Sequence, residues 1–386
     1  MAEVKTEEEF LIIFTDAHLA YSPTTLNLFY KLKENHTVKL LSVAQPAFFS
    51  DNIIADPNIE YINVIVKRDI RNVFKEIFYR IFDLLLKPSQ KTLALRGMLN
   101  YNTKVIISKI EKTKANIIAV DSTALWCVQQ AGKKAHLLSL EILQNDKYFE
   151  DIQLRTIKSV IIQSQERLDY LFPKEKPKYF IVQNAPKNIS FSPKYDEREK
   201  TDLIFCGSAV PSFGIISCLD FIKDNKEYTL TLKGAFPKDT EQIINDFYSD
   251  LITEKRLIID SSYLSESDLT KYISTFRIGF AFYDFYRFDH LRTFNYYTAP
   301  SGKVFQYLNS GVPVIANALP GFQFIDKNGC GKLIDYLSSQ QIKLAIDTIE
   351  KDYLRYAENA KKLSYTNDFE KMIQPFLMYI KSEMNE

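Results

Sequence analysis

The stretch from Pro300 to Ile334, PSGKVFQYLNSGVPVIANALPGFQFIDKNGCGKLI, decides the fold of this chain. Pro300 suits the first turn of a helix, so Ser301, Gly302 and Lys303 are predicted to open one. Their unpaired backbone N–H groups and the positive end of the helix dipole would point at one spot. That spot suits a diphosphate.

The same stretch goes on to a packing face, a strand and a second turn. The packing face consists of apolar residues at helical spacing, namely Val304, Phe305, Tyr307 and Leu308. Gly311 is predicted to end the helix, and residues 312–316 to form a short buried strand before a turn at 317–321. The carboxyl ends of strands in open α/β sheets face a ligand crevice, so this segment predicts a ligand site.

The rest of the chain alternates predicted strands with amphipathic helices, which indicates parallel sheets with right-handed crossovers. Strands are predicted at 10–14, 38–43, 61–66, 116–120, 135–140, 159–162, 179–182, 202–206, 229–232, 257–259, 278–282 and 313–316. Helices are predicted at 24–33, 215–223, 239–252 and, as the last group, 339–385. We therefore predict the α/β class, with doubly wound, Rossmann-like domains at 1–186 and 201–355 joined by the polar linker 187–200.

Composition and charge are those of an ordinary globular protein. Of 386 residues, 46% are apolar and 25% charged, and the net charge of +1 gives no global electrostatic reason to expect nucleic-acid binding. The four cysteines show no CxxC spacing, so reduced structural thiols are expected rather than disulfides or a zinc site. The acidic start MAEVKTEEEF and the lack of an apolar run of about 18 residues predict a cytoplasmic protein.

The stretch 300–334 resembles the C-terminal signature of GT-B glycosyltransferases, in particular the large family 4 group. The matching residues are Lys303 to Leu308, Gly311, Pro313 to Ala316, Pro320, Gly321 and Gly329 to Gly331. Shorter similarities at 160–168, 181–184, 203–208 and 230–234 extend the resemblance over most of the chain. It implies two Rossmann-like domains that face each other across a cleft, with the last helices, 356–386, crossing back to the first domain.

The resemblance also implies an activity. Such an enzyme moves a sugar, of the hexosyl or N-acetylhexosaminyl type, from a nucleotide diphosphate sugar to a hydroxyl of a glycan or lipid-linked acceptor. The expected donor is a UDP or GDP sugar, no metal or other cofactor is expected, and the setting would be surface polysaccharide or glycoprotein assembly. Family 4 similarity predicts retention of anomeric configuration.

Two departures from the family pattern concern the donor. Gln306 stands where the family usually has Glu, and Thr298 stands at the position of its companion acid. An amide oxygen can still accept a hydrogen bond from a ribose hydroxyl. The usual Arg and Lys after the first donor-domain glycine are replaced by Ser208 and by Phe213 or Gly214.

Other groups must therefore bind the donor. Lys303 is the first candidate for the diphosphate, with Lys233 and Arg292 in support. A solvated helix-start lysine is the alternative for Lys303. The remaining candidate contacts are Gly207, Ser208, Ser301, Gly302 and Gln306, where Gly207 would allow close backbone approach or serve as a plain strand-end turn.

The acceptor side offers candidates after three predicted strands. Asp16 and His18 follow the first strand, where a histidine oriented by a carboxylate could act as general base, as inversion would require. Glu141 follows the strand at 135–140, and Asp121, a weaker candidate, follows the strand at 116–120. A purely hydrogen-bonding role for His18 and a helix-cap role for Glu141 are the alternatives.

Aromatic residues crowd the loop 282–297 before the predicted phosphate helix. Their rings could stack on a base or sugar, with Arg292 reaching the diphosphate, or they could form a separate apolar cluster.

The region 67–114 is basic, with twelve Lys or Arg against four Asp or Glu and a net charge of +8. Within it, residues 70–86 show apolar and aromatic residues at helical spacing, which predicts peripheral contact with an anionic membrane or simple core packing.

The loss of both usual carboxylates keeps a second function open: a non-catalytic GT-B subunit that binds a sugar nucleotide without turnover. A sugar-nucleotide epimerase is a third interpretation. Sequence leaves the donor base, the acceptor and the oligomeric state undetermined.

Overall fold

A computed structural model describes residues 9–15, 19, 22–44, 54–63, 93–143, 146–262 and 264–383. The chain divides into two compact units, Met1–Ile181 and Val182–Glu386. The predicted domain limits remain predictions. Residues 187–200, predicted as a linker, belong by their contacts to the second unit.

The described part of the first unit contains a seven-stranded parallel sheet in the order β3-β2-β1-β4-β5-β6-β7. Its strands are β1 Glu9–Phe14, β2 Thr37–Ala44, β3 Ile59–Asn63, β4 Asn116–Val120, β5 Ala135–Ser139, β6 Ile157–Ile162 and β7 Lys178–Ile181. The helices are Pro23–Lys33, Leu93–Lys112, Asp121–Gln130, Lys147–Glu150 and Gln165–Leu171. Strand order reverses between β1 and β4, which makes their carboxyl ends the switch point of this sheet.

The described part of the second unit contains a six-stranded parallel sheet in the order β10-β9-β8-β11-β12-β13. Its strands are β8 Asp202–Cys206, β9 Thr229–Lys233, β10 Leu257–Asp260, β11 Ile278–Ala281, β12 Val314–Asn317 and β13 Gly331–Ile334. The helices are Ile215–Asp224, Lys238–Phe247, Ser249–Thr253, Glu266–Ile273, Phe294–Thr298, Gly302–Asn309, Gln323–Lys327, Ser339–Glu350, Tyr353–Thr366, Phe369–Met372 and Gln374–Glu383. Here the switch point lies between β8 and β11.

The predicted doubly wound α/β class is confirmed, and the structure corrects the predicted elements at β13 and at residues 239–252. Residues Gly331–Ile334, for which no strand was predicted, form β13. A Cβ at Gly331 would lie 2.0 Å from the carbonyl oxygen of Val314, so glycine is needed where the two strands run so close. The single helix predicted at 239–252 is two helices that break at Tyr248, where the backbone leaves the helical conformation (φ −137°, ψ 17°) and the buried side chain donates a hydrogen bond to Asp220.

The basic amphipathic helix predicted at 70–86 lies outside the described residues. Within the ranges that the structure does describe, no helix has the length and hydropathy needed to cross a membrane. All four cysteines are buried and none is disulfide-bonded.

Candidate functional site

Tyr307 fixes the helix Gly302–Asn309 across the switch point of the second sheet. Its hydroxyl accepts a hydrogen bond from the Cys206 N–H on β8 (2.7 Å) and donates one to the Phe280 carbonyl on β11 (3.0 Å). Gly279 makes room for the ring, since a Cβ there would lie 2.7 Å from ring carbons of Tyr307. The helix therefore spans the two strands whose carboxyl ends flank the crevice.

Lys303 precedes Tyr307 by four positions and Gln306 follows Lys303 by three, so both polar residues lie toward the side of the helix that Tyr307 occupies. Val304, Phe305 and Leu308 are buried in the core of the unit, whereas Lys303 and Gln306 lie one turn apart on another side. The helix begins at Gly302, where a Cβ would lie 3.2 Å from Nδ2 of Asn184. Ser301 is the N-cap of this helix at the carboxyl edge of the sheet, and Pro300, predicted for the first turn, lies before it.

Two glycine turns form the floor beside this helix. Gly207 follows β8 with a φ of +116°, and its N–H donates to the Lys233 carbonyl on β9 (2.8 Å). Gly234 follows β9 with a φ of +141°, and a Cβ there would lie 2.1 Å from the Gly207 carbonyl oxygen. The two turns are in close contact with each other. Gly207 also faces Lys303, whose Cε lies 3.8 Å from the position that a Gly207 Cβ would occupy.

Lys303 is a buried cation without a hydrogen-bond partner among the described residues. Its Nζ lies 4.0 Å from the ring centre of Phe205 and 5.0 Å from that of Phe213. Burial lowers the pKa of Lys303 to about 8. A buried, unpaired ammonium is costly, and an anion beside it would remove that cost.

Gln306, one helical turn after Lys303, adds a buried acceptor. Its Oε1 is buried and has no hydrogen-bond partner in the part of the chain that the structure describes. A ligand that satisfies both side chains needs an anionic group to pair with Lys303 and a hydroxyl or amine to donate a hydrogen bond to Gln306. A phosphorylated sugar or nucleotide has both.

Lys233, predicted as a supporting phosphate ligand, is engaged within the protein. Its ammonium bonds to Asp260 (2.9 Å), the Ser262 carbonyl (2.6 Å) and the Ser262 hydroxyl (2.7 Å). Burial alone would raise the pKa of Asp260, but the bonds from Ser262 and Lys233 outweigh it and lower the pKa to about 2. With three donors occupied, Lys233 stabilises the loops after β9 and β10.

Arg292 and Ser208 lie at the surface. The Arg292 guanidinium is about half exposed, donates to the Phe285 carbonyl (3.1 Å) and pairs with Asp289 (3.4 Å), and both of these partners lie in its own loop. Ser208 is exposed directly after Gly207. Neither is seen in contact with Lys303.

The aromatic loop forms a cluster of rings. Tyr283 packs edge-on against Phe213 (5.3 Å) and Tyr296 (5.4 Å), and Phe285 stacks on Tyr297 (4.8 Å). Phe213 links this cluster to Lys303. Neither Phe205 nor Phe213 is recognisable from the sequence as a neighbour of the cation, because both contacts form only in the folded structure.

Of the acceptor-side candidates, Asp16 and His18 lie outside the described residues. The structure brings Asp121 and Glu141 together, because Asp121 Oδ1 accepts the N–H groups of Leu140 (2.7 Å) and Glu141 (3.0 Å). Asp121 has a φ of +61°, a left-handed conformation that few non-glycine residues adopt. Buried Arg167 donates to the Leu140 carbonyl (2.8 Å) from the other side.

These contacts shape one wall of a pocket of about 210 Å³ in the first unit. Its lining includes carboxylates and hydroxyls as well as apolar side chains, among them Asp121, Ser139, Glu141, Asp146, Phe149 and Tyr170. The Glu141 side chain is exposed there, while its backbone is fixed by Asp121.

Comparison with solved structures shows the fold. The pneumococcal O-GlcNAc transferase GtfA, in complex with UDP and GlcNAc, is 11% identical over 99% of this chain and 100% of GtfA, with a TM-score of 0.65. HepE from Anabaena, in complex with UDP and glucose, is 14% identical over 96% of this chain and 99% of HepE (TM-score 0.64). A Listeria monocytogenes protein assigned as a UDP-N-acetylglucosamine 2-epimerase is 12% identical over 98% of this chain and 97% of its own (TM-score 0.57).

No protein-family profile and no curated protein sequence matches the chain. The structural matches confirm the predicted GT-B fold over nearly the whole chain. At such low identity they show the fold and leave function to be argued from the site, since transferases and an assigned epimerase share it.

Proposed function

We propose that this protein is a glycosyltransferase that takes a sugar from a nucleotide diphosphate sugar and transfers it to a hydroxyl group. The observation that carries the proposal is the buried ammonium of Lys303, in the first turn of the helix Gly302–Asn309, for which the described residues offer no hydrogen-bond partner. It lies beside the Gly207 turn at the carboxyl edge of a doubly wound sheet, where such folds bind ligands. The structural neighbours GtfA and HepE, both in complex with UDP, support a nucleotide ligand.

In this proposal the donor diphosphate binds between the Gly207 turn and the helix start. Lys303 and the backbone N–H groups at Gly302 and Lys303 would neutralise the charge that develops on the leaving diphosphate, which is where electrostatic catalysis acts. Gln306 Oε1 would accept from a ribose hydroxyl. Protein groups supply all the positive charge in this arrangement.

The proposed donor is a UDP or GDP sugar, and the proposed acceptor a hydroxyl of a glycan or lipid-linked glycan in surface polysaccharide or glycoprotein assembly. A lipid-linked acceptor is supported by the basic composition of 67–114, through which we propose peripheral membrane contact. Glu141 is the described candidate for a catalytic carboxylate, and Asp16 with His18 remains the predicted base.

One observation favours a second function, a sugar-nucleotide-binding subunit without turnover. Thr298 and Gln306 are neutral, and the buried Thr298 hydroxyl donates to the Phe294 carbonyl (2.8 Å). A site that lacks both carboxylates of the related transferases could bind donor without activating it.

The deciding experiment is a thermal-shift panel with UDP, GDP, CDP and dTDP sugars, followed by a nucleotide-release assay with the sugar that stabilises most. Stabilisation with release supports the transferase, and stabilisation without release, even with lipid-linked acceptors, supports the binding subunit. The Lys303→Met variant should lose the stabilisation, while Lys327→Met, an exposed lysine of the same unit, should retain it. No stabilisation by any of the four classes would refute both functions.

A further inference from the structure

Two buried cations hold the opposite end of the helix Gly302–Asn309. The first is Lys361 on the helix Tyr353–Thr366, only 5% exposed, whose Nζ donates to the carbonyl oxygens of Asn309 (2.9 Å) and Ile189 (3.2 Å). Its ammonium also lies over the rings of Phe191 (4.6 Å) and Tyr365 (5.1 Å). One lysine thus ties three chain segments together at the end of the helix.

The second cation is Arg198, which is 4% exposed. Its guanidinium donates to the carbonyl oxygens of Ser310 (3.0 Å) and Gly311 (2.7 Å), directly after the helix. It also donates to the Ser274 carbonyl (2.8 Å) and the Tyr353 hydroxyl (2.7 Å). All five contacts of the two cations with main-chain oxygens are charge-assisted hydrogen bonds.

The position of these cations has an electrostatic consequence at the other end of the helix. The last carbonyls of a helix lack intrahelical partners and form the negative end of its dipole, which cations stabilise. An eight-residue helix is only about 12 Å long, so charge at one end acts on the other through the protein interior. The helix thus carries Lys303 at its start and two further cations at its end.

We propose that Arg198 and Lys361 are positioning residues for the diphosphate, acting through the helix Gly302–Asn309. This inference rests on the proposed function. The two side chains hold the helix in register with the Gly207 turn and raise the positive potential at its first turn. Arg198 comes from the segment 187–200 and Lys361 from the late helix Tyr353–Thr366, so two segments distant in sequence act on one helix.

The test measures the dissociation constant of UDP by calorimetry, with thermal unfolding recorded separately. Lys361→Met should weaken UDP binding about three- to tenfold, because it removes the charge and both hydrogen bonds. Lys361→Arg, which keeps the charge, should restore most of the affinity. Lys362→Met changes an exposed lysine on the same helix and should leave affinity unchanged.

Arg198→Lys keeps the positive charge but loses the branched guanidinium that donates several hydrogen bonds, and it should weaken UDP binding by a smaller factor than Lys361→Met. It also serves as the second variant if Lys361→Met does not fold. A purely structural role would lower the unfolding temperature of these variants and leave the UDP affinity of the folded protein unchanged, and that result would overturn the inference. If the unmodified protein binds GDP and not UDP, the same variants are compared with GDP, and failure to bind either nucleotide would remove the proposed diphosphate site and this inference with it. Binding lost in Lys303→Met but kept in Lys361→Met and Arg198→Lys would remove the inference alone.

Discussion

The ammonium of Lys303 lies 4.0 Å from the centre of the Phe205 ring, in a contact that lowers its solvation without supplying a counter-charge. A cation–π contact is weaker than the ion pair that a buried lysine usually has. The buried ammonium therefore destabilises the ligand-free protein, and such local destabilisation is expected where a ligand binds.

This relationship predicts opposite effects of Lys303→Met on stability and on binding. Removing the buried charge should raise the free energy of unfolding at pH 7 by about 1–3 kcal/mol, since methionine can fill the same space. It should weaken binding of the donor nucleotide by about 1.5–3 kcal/mol, the usual strength of a charge-assisted contact. Urea unfolding and calorimetry measure the two effects. A less stable variant with unchanged affinity would identify Lys303 as structural.

The same lysine predicts a pH dependence of binding. Burial lowers the pKa of Lys303 from 10.5 to about 8, so the ammonium loses its proton as the pH rises through that value. Donor affinity should therefore be greatest below about pH 7 and fall between pH 7 and 9. The stability of the ligand-free protein should change in the opposite direction. The unfolded chain holds the Lys303 proton more tightly than the folded protein does, so this group should raise the free energy of unfolding between pH 8 and 10.5. A flat affinity profile from pH 6 to 9 would contradict the assignment, and Lys303→Met provides the reference curve.

Gln306 allows a test of which side of its amide is used. Gln306→Glu should keep donor binding if the side chain accepts from a hydroxyl, since a carboxylate accepts equally well. Gln306→Leu should weaken binding by about 1 kcal/mol, because it removes the acceptor and leaves the ligand hydroxyl unpaired. Calorimetry with the preferred nucleotide compares the two. Loss of binding in Gln306→Glu would show that the amide nitrogen is the contacting group.

Gly234 is predicted to be indispensable for the shape of the donor site. A Cβ there would lie 2.1 Å from the Gly207 carbonyl oxygen, and backbone cannot move aside as a flexible side chain can. Gly234→Ala should lower the free energy of unfolding by about 2–4 kcal/mol. Gly132→Ala is the matched control, since Gly132 has a φ of +68° and nothing within 4 Å of its Cβ position, so only backbone strain of about 1 kcal/mol applies. Equal losses in both variants would rule out the steric explanation.

Asp121 is predicted to fix the loop that carries Glu141. Asp121→Asn keeps an acceptor oxygen and tolerates the left-handed conformation, so it should unfold at nearly the same urea concentration as the unmodified protein. Asp121→Ala removes the two hydrogen bonds and keeps the strain, and should cost about 2–3 kcal/mol. Asp121→Gly, which relieves the strain only, should fall between them. A different order of stability among the three variants would show that the hydrogen bonds to Leu140 and Glu141 do not hold the loop.

Sequence by itself determined the class of the fold. Buried strands alternating with amphipathic helices predict doubly wound parallel sheets, and the strand bounds found by periodicity agree with the structure at 116–120 and 202–206. β13 escaped prediction because Gly331 and Lys332 have low strand propensity, and pairing with β12 overrides it. The helix start near Ser301–Lys303 was also predictable, although Ser301 is the N-cap and Pro300 lies before the first turn and not in it.

Only the tertiary structure decided which lysine is available to a ligand. Lys233 and Lys303 look alike as sequence, each near a glycine in a predicted binding segment. Lys233 bonds to Asp260 and Ser262, which lie 27 and 29 residues further along the chain. Lys303 instead faces the aromatic ring of Phe205, almost a hundred residues away, and not a carboxylate. The state of a charge depends on its neighbours in space, and local sequence patterns do not encode those neighbours.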